Sequence, residues 1–248
     1  MNKIKNLLTI MLFALVAFSC SDILDKGPLD KYSENDVWKS TDLTQAFIYT
    51  ALANATDMMV WKDNWTDNEA ILEDGRDVNA ELIDRYYDAG WDRYEDIRRC
   101  NMVLARVPEA PFTETEKANF IAQAKTVRAM IYFTRARLFG KLMLVKELIE
   151  PEAEMTFPRT ATVKETYDFI LNDLKEAAPD LPVDAPSGAL SRGVAYALLG
   201  EVALHGAAYI ENGQEEYYSI AAKACEDLFA LGKYSLDADY AGIFNDYD

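Results

Sequence analysis

The chain has 248 residues, 50% hydrophobic, 27% charged and 12% aromatic, the balance of a protein that folds around a core rather than one that stays disordered. Its 25 Lys and Arg face 42 Asp and Glu, a formal net charge of −17, which repels phosphate backbones and argues against nucleic acid as a partner. Three cysteines and a single histidine leave no His/Cys zinc site to build, and no cofactor is expected.

At the N-terminus Lys3 and Lys5 precede a run from Leu7 to Phe18 that is apolar apart from Thr9. About 12 apolar residues fit the hydrophobic region of a secretory signal and fall short of the roughly 20 that a membrane-spanning helix needs. Ala17 and Ser19 would serve an ordinary cleavage site, yet the next residue is Cys20. A small residue directly before a cysteine is the pattern of bacterial lipoprotein processing, in which Cys20 becomes the lipidated terminus, although Ala17 stands where leucine is usual. An ordinary signal with an incidental cysteine is the competing reading, and the shape of the segment favours the lipoprotein. The expected organisation is a signal over 1–19, a lipidated cysteine and tether over 20–32, and a helical domain over 33–248.

Helical patterns fill that domain. A start signal lies at Ser33 to Asp36, and Asp42 offers an acidic cap before LTQAFIYTALANA. Tyr94, Ile97, Asn101 and Leu104 recur at helical spacing in WDRYEDIRRCNMVLARV. Thr113 with Glu116, and Thr162 with Glu165, read as capping boxes, each opening an apolar-periodic helix. Phe120, Ala124, Val127 and Ile131 mark one stripe of the first, which Gly140 ends; the second runs through Tyr167, Ile170 and Leu174 to Leu181 and Pro182. Gly193 to Tyr209 carries a row of small residues, Ala197, Gly200, Ala203 and Ala207, that lets Tyr217 to Leu231 approach closely. The expected fold is all-α, an irregular tetratricopeptide-like solenoid of helical pairs with a long aromatic and acidic loop insertion.

Cys100 and Cys225 sit in helical patterns and read as two buried free thiols, with a disulfide between them left open by spacing alone. His205 lies on an apolar helix and reads as a packed histidine. A Ser-His-Asp triad would have to use it, and no Gly-x-Ser-x-Gly elbow supplies the serine. Arg98, Arg99, Arg135 and Arg137 are expected to pair with acids on helix faces.

Several landmarks together resemble the SusD/RagB family of outer-membrane lipoproteins: Cys20 with SDILDKGPLD, the WDRYEDIRRCN helix, and Arg128, Ala129, Tyr132, Phe133, Phe139 and Gly140 in QAKTVRAMIYFTRARLFG. PRTATVKETYDFILNDLKEAAPDLP, SGALSRGVAYALLGEVALH, LGKYSL and YAGIF continue the likeness in order. The resemblance implies a lipid-anchored protein on the outer face of an outer membrane, with Asp22 and Asp25 resembling the family's cue for display. Its partners would be an oligosaccharide or polysaccharide, in some members a peptide, and a SusC-like transporter energised through TonB. Family members are about twice as long, so the chain is expected to be a fragment or truncated reading frame lacking the C-terminal half.

The least helical stretch, 57–90, carries Trp61, Trp65, Tyr86 and Tyr87 as flat faces with Asn68 and Arg76 as hydrogen-bond groups, a combination that suits sugars. For any single ring, stapling the loop to the helices is the favoured reading, so the loop rather than any one ring is the candidate. Its carboxylates, among them Asp63 and Asp67, fail the spacing of a calcium-binding EF-hand and read as a solvated acidic loop, with no metal expected. Binding without catalysis is the expected activity. A scaffold that grips only protein and a secreted hydrolase are the alternatives.

Overall fold

The computed structural model describes residues 34–59, 93–149, 156–236, 238–240 and 242. Seven α-helices are described: α1 (Glu34–Val37), α2 (Thr41–Met59), α3 (Tyr94–Arg106), α4 (Glu114–Phe139), α5 (Val163–Ala177), α6 (Arg192–Ala207) and α7 (Gln214–Ala230). Among the described residues extended pairing is confined to one isolated antiparallel bridge, Met143 to Arg159. The all-α helical-pair reading holds.

Local chemistry sets most of the helix ends. Thr113 accepts from the Glu116 backbone while the Glu116 side chain returns to the Thr113 N–H at 2.9 Å, a complete capping box for α4. Only half of the second box forms: Thr162 accepts from the Glu165 N–H at 3.1 Å, but the Glu165 carboxylate takes the N–H of Ala161 instead. Ser40, not Asp42, caps α2, its Oγ accepting from the Leu43 N–H at 3.4 Å, and Asp42 sits within the first turn. Pro108 and Pro179 tighten the ends of α3 and α5 into short 3₁₀ turns, Val107–Glu109 and Ala178–Asp180. Gly140 (φ 67°) turns the chain out of α4, and Gly213 (φ 94°) leads it into α7, both in a region that glycine enters without a Cβ clash. That second turn starts α7 three residues before the expected Tyr217.

α4 is central. Almost every side chain from Phe120 to Ala136 is buried, because α2 and α3 cover one side and α5 the other, so the helix needs no polar face over that length. Its pairing with α5 is antiparallel, shown by Lys125 with Glu176, Arg128 with Asp173, Tyr132 with Phe169 and Phe133 with Tyr167. α6 and α7 pair the same way: a Cβ on Gly200 would stand 3.5 Å from Cys225 Sγ, and one on Gly206 would stand 2.8 Å from the Tyr217 ring. Of the small-residue row, Gly200, Ala203 and Ala207 are buried, whereas Ala197 faces solvent; the close approach is carried further along by Gly206. Ala221 and Ala224 are buried as expected, and Leu228 is half-buried.

Tyr132, Tyr167 and Tyr217 are among the largest fully buried side chains, and each hydroxyl has a partner. Tyr217 donates to Asp168 Oδ1 at 2.8 Å, and Tyr132 accepts from the Val145 N–H at 2.8 Å. Cys100 is buried and its thiol is pushed up to about 12 by desolvation, so it stays protonated. Cys225 departs from expectation: it is exposed at the edge of the α6–α7 contact, its Sγ 3.5 Å from where a Cβ on Gly200 would stand, and both cysteines are free.

Candidate functional site

Up-and-down connectivity gathers alternate helix ends at two poles. At one of them, Asn54 near the end of α2 donates to Asp96 in the first turn of α3 at 2.9 Å. Tyr94, at the start of α3, donates to the Met143 carbonyl just beyond α4 at 3.0 Å. Tyr167 at the start of α5 meets His205 at the end of α6. The described ends that flank residues 60–92 therefore share a pole with those that flank 140–162.

The strand-like segment after α4 is tied down by side chains rather than by a sheet. Asn101 donates to the carbonyls of Val145 (3.0 Å) and Glu147 (2.9 Å), Arg128 to that of Lys146 (2.8 Å), and Arg98 to that of Ile149. Arg98 thus spends its charge on backbone, whereas Arg99 pairs with Glu95 and Asp96 as the sequence suggests. Arg137 stands 4.0 Å from Glu201.

Beneath this strap lies a buried ionic hub. Arg128 Nε and Nη2 reach the two carboxylate oxygens of Asp173 at 2.8 and 2.7 Å, a bidentate fork, and its third nitrogen also donates to Asn101 Oδ1 at 2.7 Å. Its guanidinium lies 5.0 Å from the Phe169 ring centroid. Burial opposes the charged form, and the hydrogen bonds and charge of Asp173 more than offset it, so Arg128 titrates above its usual range.

Toward the surface of the same pole stand three stacked rings. Tyr167 and His205 are 6.0 Å apart between centroids and 19° from parallel; His205 and Tyr209 are 4.8 Å and 25°. The Tyr167 hydroxyl and His205 Nδ1 lie 2.8 Å apart, and Phe133 meets the imidazole edge-on at 5.5 Å. Desolvation first, and then Arg137, lower the His205 pKa. A folded-state value below the ordinary one means the unfolded chain binds the proton more readily, so stability falls as pH drops below about 6.5. The melting temperature is expected to decline on acidification from pH 7.5 to 5.5, and less so in His205→Gln; equal slopes in the two proteins would contradict this.

Cys20, Trp61, Trp65, Asn68, Arg76, Tyr86 and Tyr87 lie outside the described residues, as do the acidic side chains of that stretch. His205 is packed, as expected, but half-buried within a stack that runs out to solvent through Tyr209. The i, i+4 spacing of His205 and Tyr209 was the available signal for that stack. Among the described residues no helix is long and apolar enough to cross a membrane.

A family described as starch-binding and associating with the outer membrane matches residues 19–204. The chain belongs to the SusD-like family. SusD-like protein P38 of Formosa agariphila is 27% identical over 95% of this chain, which spans 48% of that relative's length. The SusD superfamily structure from Parabacteroides distasonis superposes with a TM-score of 0.67 at 25% identity, covering 85% of this chain and 48% of the other. A laminarin-binding SusD-like protein shares the fold, with a TM-score of 0.63 at 21% identity over 88% of this chain and 50% of its own. This SusD-like chain thus spans about half the length of the relatives it matches.

Proposed function

We propose that this SusD-like chain belongs to a lipid-anchored surface protein that holds a glycan and passes it to an outer-membrane transporter energised through TonB, without chemistry of its own. The observation that carries the proposal is the family match over 19–204, which takes in Cys20, the 57–90 stretch and α1 to α5. The laminarin-binding relative with the same fold supports a polymeric sugar as ligand. Residues 1–19 are assigned to the lipoprotein signal, 20–32 to the lipidated tether and 33–248 to the helical-repeat scaffold, with the 57–90 loop as the ligand surface and Trp61, Trp65, Asn68, Arg76, Tyr86 and Tyr87 as its candidate contacts.

Affinity gels containing starch, laminarin or xyloglucan test the binding directly. Retardation by at least one polymer is expected, with no release of shorter sugars. Free migration in every gel overturns the proposal. The anchor has its own test: incorporation of a palmitate analogue in cells is expected for the wild type and lost in Cys20→Ala, and equal labelling rules the lipid out. Co-purification of a TonB-dependent transporter with the labelled protein is the expected sign of the partner.

A further inference from the structure

We propose that Tyr209 is a second sugar platform, carried by the helical scaffold itself, which takes one pyranose unit of a neutral oligosaccharide against the open face of its ring. The inference rests on the glycan-binding reading above and extends it to a residue outside the 57–90 stretch.

Three observations point there. The first is preorganisation. Tyr209 is 61% exposed, yet its ring is stacked on His205 at 4.8 Å, and His205 is in turn stacked on Tyr167, which is 1% exposed and lies within hydrogen-bond distance of Nδ1. One face of the Tyr209 ring is therefore occupied by imidazole while the ring as a whole stays accessible, and its orientation is set before any ligand arrives. A ligand that stacks on a ring already held in place avoids much of the ordering cost of binding. Sugars supply what such a face accepts, an apolar patch of C–H groups rimmed by hydroxyls.

The second is the polar surrounding. Glu201, His205 and Tyr209 follow one another at intervals of four residues, along one side of α6 and the turn that ends it. Glu201 is exposed and lies about 12 Å from the ring along the helix direction, an acceptor whose neighbour at 4.0 Å, Arg137 of α4, is largely buried. Hydroxyls of a sugar chain can donate to that carboxylate. The overall charge of −17 disfavours an anionic ligand on this surface and leaves a neutral glycan as the fitting class.

The third is position. Tyr209 follows the end of α6 at the pole where α2 ends and α3 begins, as the Asn54–Asp96 and Tyr94–Met143 hydrogen bonds establish. The described ends that flank residues 60–92 share this end of the stack with the platform, and a polymer that engaged both would gain from the second contact through effective concentration.

The test uses the whole chain with Tyr209→Leu, Tyr209→Ala and Tyr209→Phe, titrated with laminarin, xyloglucan oligosaccharide and starch oligosaccharide, alongside a Trp61→Ala/Trp65→Ala protein. Leucine keeps an apolar cover over His205 but has no flat face, and a melting curve like that of wild type shows that its scaffold is intact. For the sugar that wild type binds, Kd is expected to rise about tenfold in Tyr209→Leu and Tyr209→Ala, a change of about 1.4 kcal/mol, and to stay within about twofold in Tyr209→Phe. Wild-type affinity in Tyr209→Leu, with loss only in the double tryptophan protein, overturns the platform and leaves the glycan-binding proposal standing. Loss in Tyr209→Phe equal to that in Tyr209→Leu also overturns it, because stacking would then not be the interaction. No binding by wild type to any of the three sugars overturns both readings.

Discussion

Replacing Arg128 with alanine is expected to destabilise the fold by about 3–5 kcal/mol, the cost of leaving one member of a buried ion pair without the other. Asp173 and Arg128 have side chains only 5% exposed, so water cannot take over the role of the missing guanidinium. The loss would spread further than that pair. Asn101 would lose its donor, and the Lys146 carbonyl its partner, loosening the strap after α4 where α3, α4 and α5 meet. Chemical denaturation of the wild type and Arg128→Ala gives the difference directly, and thermal unfolding should show a melting temperature lower by roughly 10 °C. Lysine is not expected to rescue the site, because an ammonium cannot reproduce the two-pronged contact with Asp173. A midpoint within experimental error of wild type would show that the hub contributes nothing to stability.

A pair of glycine substitutions on α6 should move stability in opposite directions. At Gly206 an added Cβ would lie 2.7 Å from the Tyr167 ring and 2.8 Å from the Tyr217 ring, both rings being among the most deeply buried in the protein. Neither ring has room to retreat, and Gly206→Ala is expected to cost about 1–3 kcal/mol through overpacking, more than the helix propensity that alanine restores. At Gly200 the nearest atom would be Cys225 Sγ at 3.5 Å, an ordinary contact distance. Gly200→Ala should therefore stabilise by up to about 1 kcal/mol, because alanine loses less backbone freedom on folding than glycine. Urea denaturation of the two variants decides the matter. Destabilisation by the same amount at both positions would mean that the helix interface, and not the local space, sets the outcome.

Why one glycine differs from the other could not be read from sequence. A row of small residues announces that a neighbour comes close, but it does not say which turn of the helix the neighbour crosses; Ala197 belongs to the row and faces solvent, while Gly206 lies off it and is wedged between two rings. Chain-local features were legible. The Thr113–Glu116 capping box, the Gly140 exit and the Phe120–Ile131 stripe all depend on residues within a turn or two of each other. Cross-helix chemistry was not: Arg128 and Asp173 are 45 positions apart, and nothing in the periodicity of either helix names the other. For the same reason Cys225 was read as buried, since its helix has small and apolar residues on more than one side and only the packing of α6 decides which side is covered. The stack through His205 fell between the two cases. Its His205–Tyr209 spacing is local, while its anchor, Tyr167, comes from a different helix.

The up-and-down arrangement has an evolutionary corollary. The two broadest gaps between helices, from α2 to α3 and from α4 to α5, emerge at the same pole, while the links from α3 to α4 and from α5 to α6 emerge at the opposite one. Insertions or rewritten sequence in those gaps can change without touching the registry of the helices beneath, since the strap, the ionic hub and the tyrosines hold the stack from within. A chain built this way can vary its connections at one end and keep its chassis constant at the other.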